Sequence, residues 1–162
     1  MDEKIELTKK TMLASMDEIV ISTEECPIVG TSSLATCVGV LVYSEAHKKA
    51  IACHASGNPV AIVNAIIDLA IKNNLMDSPV KYRVIPGYYY NHYQLAEEIS
   101  DLLWELRPYF SLMVHPEENA IMKDPELPAM RFAFDASTGT FVTDKVLYGK
   151  DYLDIKQQQK NK

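Results

Sequence analysis

Cysteine is scarce in this chain, and the little present is not spaced for disulfides or for metal. Three cysteines, Cys26, Cys37 and Cys53, stand among 162 residues, and an odd number without paired spacing speaks against a disulfide framework. No C-x-x-C, H-x-x-x-H or H-E-x-x-H occurs, which leaves a zinc site without support. Long apolar runs are missing too. None approaches the roughly 20 residues that a membrane-spanning helix needs, so no membrane insertion is expected. Residues 1–10 are charged and lack the apolar centre of a secretory signal. A cytoplasmic protein is therefore expected, although delivery into a host cell by a signal-less route is compatible with the same residues. Clustered basic charge is the next absence. The formal charge is −6 with Lys and Arg scattered, whereas nucleic-acid binding draws on grouped cations that displace counterions. Nucleic acid is accordingly not expected as a partner. Neither a phosphate-binding glycine loop nor another cofactor motif is visible, so the expected chemistry uses no cofactor.

What remains is the composition of an ordinary soluble protein, 48% hydrophobic and 23% charged. The length fits one domain, read as residues 1–155 with a polar C-terminal tail at 156–162. A short amphipathic segment covers residues 3–16, and Glu18 to Ser22 reads as a strand rich in β-branched residues. Residues 27–36, with Gly30, Thr31, Ser32, Ser33 and Thr36, read as a loop. That loop feeds the apolar run from Cys37 to Tyr43, a buried strand. A polar turn and the run from Ala50 to His54 complete a hairpin. Residues 59–73 form a helix with Pro59 in its first turn and Ile62, Ile66, Leu69 and Ile71 on its apolar face. A strand at 80–85 follows, then Pro86-Gly87 and three tyrosines, Tyr88 to Tyr90. A second helix runs from about Tyr93 to Leu106, with Leu95, Ile99, Leu102, Leu103 and Leu106 at helical spacing. Residues 112–114 read as a strand and 116–128 as a loop. The chain then makes a last hairpin, residues 130–147, around the turn Asp135 to Gly139. About six to eight strands and two or three helices, in blocks rather than in βαβ alternation, indicate an α+β layered domain with mostly antiparallel sheets.

Chemistry concentrates at the first hairpin. An antiparallel pair brings its ends together, so Cys37, at the start of one strand, and His54, at the end of the next, are expected to be neighbours. A thiolate is the reactive form of cysteine, and an adjacent imidazole both lowers the thiol pKa and returns the proton to a leaving group. A third polar group usually fixes such an imidazole, and Thr31 lies within reach in the loop ahead. A cysteine opening an apolar strand is, however, most often a small buried hydrophobe. A single histidine is most often hydrogen-bonded scaffolding, so spacing alone leaves both readings open. Cys53 precedes His54 on the same strand and points to the opposite face, which makes it core. Cys26 has no evident base. His92 borders the pocket or is merely solvated, and the three tyrosines suit either a protein-binding lip or packing.

The spacing Thr31-x5-Cys37-x16-His54, within Thr-Ser-Ser-Leu-Ala-Thr-Cys-Val-Gly-Val-Leu-Val-Tyr, resembles the active-site block of the CheD family, the bacterial chemoreceptor glutamine deamidases. Met130-Arg-Phe-Ala-Phe-Asp-Ala-Ser-Thr-Gly-Thr-Phe-Val-Thr is similar to that family's last hairpin. The likeness is strongest over residues 29–54 and weaker over 130–145. More distantly it extends to deamidase toxins of the cytotoxic necrotizing factor type. The resemblance implies an α/β/β sandwich with Cys37 as nucleophile, His54 as general base and acid, and Thr31 orienting His54. Thr36, Val38, Ser33 and Ser56 become candidates for substrate or oxyanion contacts, with Ser32 beside them. It also implies a protein substrate carrying an exposed glutamine, either a chemoreceptor or another protein, and a chemotaxis-phosphatase-like regulator. A catalytically idle binding module, transglutamination and peptide hydrolysis are the rival readings. The chain departs from the family at Ala35-Thr36, where Gly-Ser is usual, over residues 55–59 after His54, and at Pro86-Gly87, where a Gly-Gly motif is expected. All three departures surround the triad and spare it.

Overall fold

A computed structural model describes residues 11–31, 34, 37–86, 93–105, 115–121 and 132–142. In chain order the elements are β1 (Thr11–Ala14), β2 (Ile19–Ile21), β3 (Ile28–Thr31), β4 (Val38–Ser44), β5 (Lys49–Ala55), α1 (Pro59–Lys72), β6 (Lys81–Pro86), α2 (Tyr93–Glu105), β7 (His115–Ile121), β8 (Phe132–Asp135) and β9 (Thr140–Phe141). Among the described residues, one sheet has four strands in the order β1-β3-β8-β9, and the other has five in the order β2-β5-β4-β6-β7. Of the pairs among these strands, β1–β3 and β6–β7 are parallel and the rest antiparallel. The class is α+β, as the blocks of elements in the sequence indicated.

The layering follows from residue parity along the central hairpin. Because side chains alternate faces along a strand, β4 and β5 carry two apolar sets. Val38, Val40, Val42, Ile51, Cys53 and Ala55 share one core with the buried faces of the helices. Cys37, Leu41, Tyr43, Ala50 and Ala52 share another with Val29, Phe132 and Phe134 of the four-stranded sheet. The helices thus cover one face of the five-stranded sheet, and the smaller sheet covers the other. Two-sided burial explains why both strands read as nearly continuous apolar runs. Each fully buried Ile, Leu or Phe in these cores is stabilising by roughly 1.5–3 kcal/mol relative to exposure.

Helix α1 begins with Pro59, whose fixed φ and missing N–H suit that position. Its buried residues are Val63, Ile66, Ile67 and Ala70, the i, i+3, i+4, i+7 stripe of a helix lying on a core. This corrects the expected face. Ile66 is central, Ile62 and Leu69 are only partly buried, and Ile71 is 50% exposed, because the stripe is centred on the 63/67 side. Helix α2 buries Leu95, Ala96, Ile99 and Leu103 against the same core; Leu106 lies outside the described residues.

Three further expectations need correction. Within the stretch read as a loop, Ile28–Thr31 is a strand, paired with β1 on one side and β8 on the other. The glycine and hydroxyl residues of 30–36 masked the β-branched pair Ile28-Val29. Thr31 therefore ends a strand. Within the stretch read as 116–128 loop, His115–Ile121 is a strand whose sole pairing among the described residues is to β6, with a register irregularity between Tyr82 and Val84. Pro116 argued against a strand, but an edge position tolerates it. The described end of the first segment, Thr11–Ala14, is a strand rather than part of an amphipathic segment. The expected strand at 112–114 and the tail at 156–162 lie outside the described residues. Among the described residues, no helix is long and apolar enough to cross a membrane.

Candidate active site

Three strands from both sheets converge on one polar group in an otherwise apolar interlayer. In the β4–β5 ladder, Gly39 stands opposite His54 and Val38 opposite Ala55. Cys37 lies two residues before Gly39 and so shares the face of Gly39 and His54, diagonal to the histidine across the pair. Gly39 contributes no side chain, and a Cβ built there would meet Cε1 of Phe132 at 2.7 Å and Cδ1 of Leu34 at 3.0 Å. The gap opposite His54 is thus filled by the other sheet. From that sheet comes Thr31, the last residue of β3. Its Oγ1 lies 2.8 Å from His54 Nδ1. Thr31, His54 and Cys37 are 0%, 3% and 6% exposed.

The Thr31 hydroxyl fixes the state of the imidazole. Oγ1 also donates to the carbonyl oxygen of Ala14, at 2.6 Å. A hydroxyl has one hydrogen and a carbonyl can only accept. With that hydrogen committed to Ala14, Thr31 accepts from His54, so Nδ1 carries the proton. In the neutral ring Nε2 then holds the lone pair. Nε2 is itself buried, on the face shared with Cys37. This tautomer is the one a general base needs, and it is set by the backbone of β1 through Thr31. Ala14 and Thr31 are register partners in the β1–β3 pair, so the relay is built into the sheet.

The main chain of His54 is held with equal definition. Its N–H donates to the carbonyl of Glu18 at 3.2 Å, and its carbonyl accepts from the N–H of Asp17 at 2.6 Å. Asp17 sits in the β1–β2 turn with φ of 61°, a conformation that Asp and Asn tolerate better than most residues. The Asp17 carboxylate accepts from Ser56 twice over, from its N–H at 3.1 Å and from its hydroxyl at 2.8 Å. These bonds hold the Asp17 carboxyl below its usual pKa. Burial opposes the shift, and the nearby His54 adds to it.

The remaining site candidates fall into clear places. Ser56 gives its hydroxyl to Asp17, so it braces the turn. Val38 opens β4 with its side chain in the helix-side core and brings only backbone to the site. Ser32, Ser33, Thr36, His92 and Tyr88 to Tyr90 lie outside the described residues. Cys53 is core, as its parity indicated: burial pushes its thiol up to about 12. Cys26 is half-buried and not disulfide-bonded. Among the described residues, no three His, Cys, Asp or Glu side chains gather as metal ligands would.

A cavity of about 560 Å³ lies elsewhere, lined by Tyr43, Arg83, Phe134, Gly139 and Phe141 among others. It sits at the far end of β4, beside the Asp135–Gly139 turn, and includes none of Thr31, Cys37 and His54. The polar chemistry rather than this hollow therefore marks the candidate site. Asp17 and the Ala14 carbonyl were not foreseen from sequence. A Ser-Met-Asp-Glu turn is a common signal, and nothing local ties it to a histidine 37 positions later. Compared with known proteins, the chain matches no family model and no curated protein.

Proposed function

We propose that this chain is a cysteine-dependent protein-glutamine deamidase, with Cys37 as nucleophile, His54 as base and acid, and Thr31 as the residue that orients His54. The observation that carries the reading is the 2.8 Å contact between Thr31 Oγ1 and His54 Nδ1, with Cys37 on the same face of the hairpin. The geometry supports the following sequence of steps. Nε2 takes the thiol proton, and the thiolate attacks the side-chain amide carbon of a glutamine. The C–S bond forms as the C=O π bond opens to an oxyanion, which backbone donors would stabilise. On collapse the C–N bond breaks, and the imidazolium returns its proton to the departing ammonia. Water, deprotonated at Nε2, then attacks the thioester; the C–S bond breaks, leaving glutamate and the free thiol. The target gains a negative charge. The resemblance of residues 29–54 to the chemoreceptor deamidases favours a chemoreceptor as the target class, and the departures around the triad leave room for a different protein.

The burial of Cys37 and His54 favours a second reading, a binding module that keeps the triad as packing. The two are separated by incubating wild type and Cys37→Ser with a chemoreceptor cytoplasmic fragment and with cell lysate, following ammonia and intact mass. Ammonia release and a gain of about one dalton with wild type alone are expected, with a loss in the variant on the order of a thousandfold or more. Absence of deamidation on all substrates, together with a Cys37 that iodoacetamide does not modify, would leave the binding module.

A further inference from the structure

We propose that the hollow at the far end of β4 is a binding site for a small aromatic carboxylate, with Arg83 holding the acid group and Tyr43, Phe134 and Phe141 holding the ring. The site stands apart from the deamidase reading. It includes none of Thr31, Cys37 and His54, and Tyr43 lies six residues after Cys37, roughly 20 Å away at the rise of a strand. Its place follows from strand parity. In the β4–β6 ladder Leu41 stands opposite Arg83 and Tyr43 opposite Lys81, so these four side chains share the face turned toward the smaller sheet. Tyr82 and Val84, one residue out of step, belong to the helix-side core. From the smaller sheet come Phe134 of β8 and Phe141 of β9, register partners in that pair. The two walls line one cavity of about 560 Å³, inside the range of roughly 300–1,000 Å³ usual for small-ligand sites.

The walls differ in chemistry, and the difference selects the ligand. Tyr43 meets Phe134 edge-on with 4.8 Å between ring centroids, and Phe134 meets Phe141 at 5.2 Å; a further ring gains the same kind of contact. Tyr43 is held in place. Its hydroxyl donates to the Ala136 carbonyl at 3.1 Å, and Gly139, at φ of 72°, packs so close that a Cβ there would meet the Tyr43 Oη at 3.0 Å. Burial, with Glu45 and Asp135 nearby, pushes the Tyr43 pKa up, so the phenol stays neutral and does not repel an anion. On the other wall stands Arg83, half-buried, its guanidinium donating to the Tyr82 carbonyl at 3.3 Å. An arginine carries five N–H donors in a planar fork that meets a carboxylate with two parallel bonds. The fork need not be idle beforehand, since a carboxylate adds to or exchanges with the acceptors it already has. Lys81 has the lesser part: it reaches Glu45 at 3.6 Å, and both side chains are exposed, so this pair marks the mouth and attracts weakly. A phosphate would also suit a cation, but one planar fork beside three rings fits a ring bearing a planar carboxylate better.

The test is titration of the full chain with three probes that share one ring system, naphthoate, naphthamide and naphthyl-trimethylammonium, followed by amide chemical shifts in NMR. Wild type is expected to bind naphthoate about tenfold or more tightly than naphthamide, the margin of a charge-assisted pair over a neutral one, and to bind the cation least. The shifts should centre on Arg83, Phe134 and Phe141 and leave His54 unmoved. Arg83→Gln should bring naphthoate down to the affinity of naphthamide while leaving naphthamide within about twofold. Arg83→Lys, which keeps the charge and loses the fork, should fall between. Phe141→Leu should weaken both probes alike, and Lys81→Gln should change naphthoate by no more than about threefold. Circular dichroism checks the fold of each variant; if Arg83→Gln does not fold, Arg83→Lys and the ranking of the probes on wild type decide. Equal affinity for the three probes, a preference for the cation, or no shift at these residues with millimolar naphthoate overturns the site. A folded Arg83→Gln that binds naphthoate as wild type does overturns it as well.

Discussion

The two faces of the β4–β5 hairpin hold one cysteine each, and they make opposite things of it. Cys53 faces the helices, among Val38, Val40, Ile51 and Val63, and burial pushes its thiol up to about 12. Cys37 faces the smaller sheet, where His54 and Thr31 bring a hydrogen-bonded imidazole to the same interlayer. Both are nearly inaccessible, at 2% and 6% exposed, so burial alone does not separate them. Parity does. Around Cys53 the helix-side face is apolar, and burial there disfavours a thiolate. The other holds an imidazole hydrogen-bonded to Thr31. The surroundings of a thiol in a buried layer are therefore a matter of which polar group shares it, and the β-strand period of two decides the sharing.

The largest expected effect falls on the close pairing of β3 with β8 inside the smaller sheet, which places Thr31. A Cβ built on Gly30 would stand 2.0 Å from the carbonyl oxygen of Phe132 and 2.8 Å from the Cα of Ala133. These are backbone atoms of β8, which cannot swing aside as a side chain would. Gly30→Ala is expected to destabilise by about 4 kcal/mol or more, or to prevent folding, because the β3–β8 ladder must part. Urea unfolding checks it. A variant within about 1 kcal/mol of wild type would mean that β3 is not packed as described, and Thr31 would lose its placement next to His54.

How much of this was legible in advance differs between the two faces. The helix-side face was open to reading: the apolar runs from Cys37 to Tyr43 and from Ala50 to His54 marked both strands, and parity marked Cys53 as core. The hairpin itself brought Cys37 and His54 together. The inter-sheet face was less open, because its partners arrive from distant segments. Thr31 was read as a loop residue, although it ends a strand whose neighbours, β1 and β8, are separated from it by up to a hundred residues of sequence. The Ala14 carbonyl leaves no trace in sequence at all, since any residue offers one. Only the β1–β3 register makes it the acceptor that settles the tautomer. The family resemblance pointed to Thr31, Cys37 and His54 together, and could not point to Asp17.

The next effect in size tests the tautomer itself. Thr31→Val keeps the branched shape and removes the hydroxyl, leaving His54 Nδ1–H without its acceptor and the Ala14 carbonyl without this donor. Each buried group so stranded costs about 1–3 kcal/mol. Stability should fall by that order, and deamidation by roughly 5- to 150-fold, the same energy expressed as a rate. Thr31→Ser should restore most of both. The structural and chemical losses are told apart by 15N NMR of the imidazole: a single Nδ1–H form is expected in wild type and a mixture in Thr31→Val. A wild-type ring protonated at Nε2 would reverse the hydrogen-bond assignment, and with it the case for His54 as base toward Cys37.

The smallest effect concerns the quiet face and sharpens the contrast from its side. Cys53 titrates near 9 in an unfolded chain and near 12 in the folded one, chiefly through burial, with the charge of Asp17 adding to it. Between those values the folded state binds more protons than the unfolded state, so this residue makes stability fall as pH rises, by at most about 1.4 kcal/mol per unit; below 9 it has no effect. Cys53→Ala abolishes that slope, at a cost near neutral pH of about 1 kcal/mol for the lost sulfur contacts. Urea unfolding at several pH values should find wild type the more stable at pH 7, with the gap closing above pH 9 and then reversing. Parallel curves for the two proteins would mean that Cys53 is not buried as a neutral thiol. The contrast between the two faces would then lose its inert half, since a Cys53 able to ionise would compete with Cys37 for any electrophile used to test the proposed nucleophile.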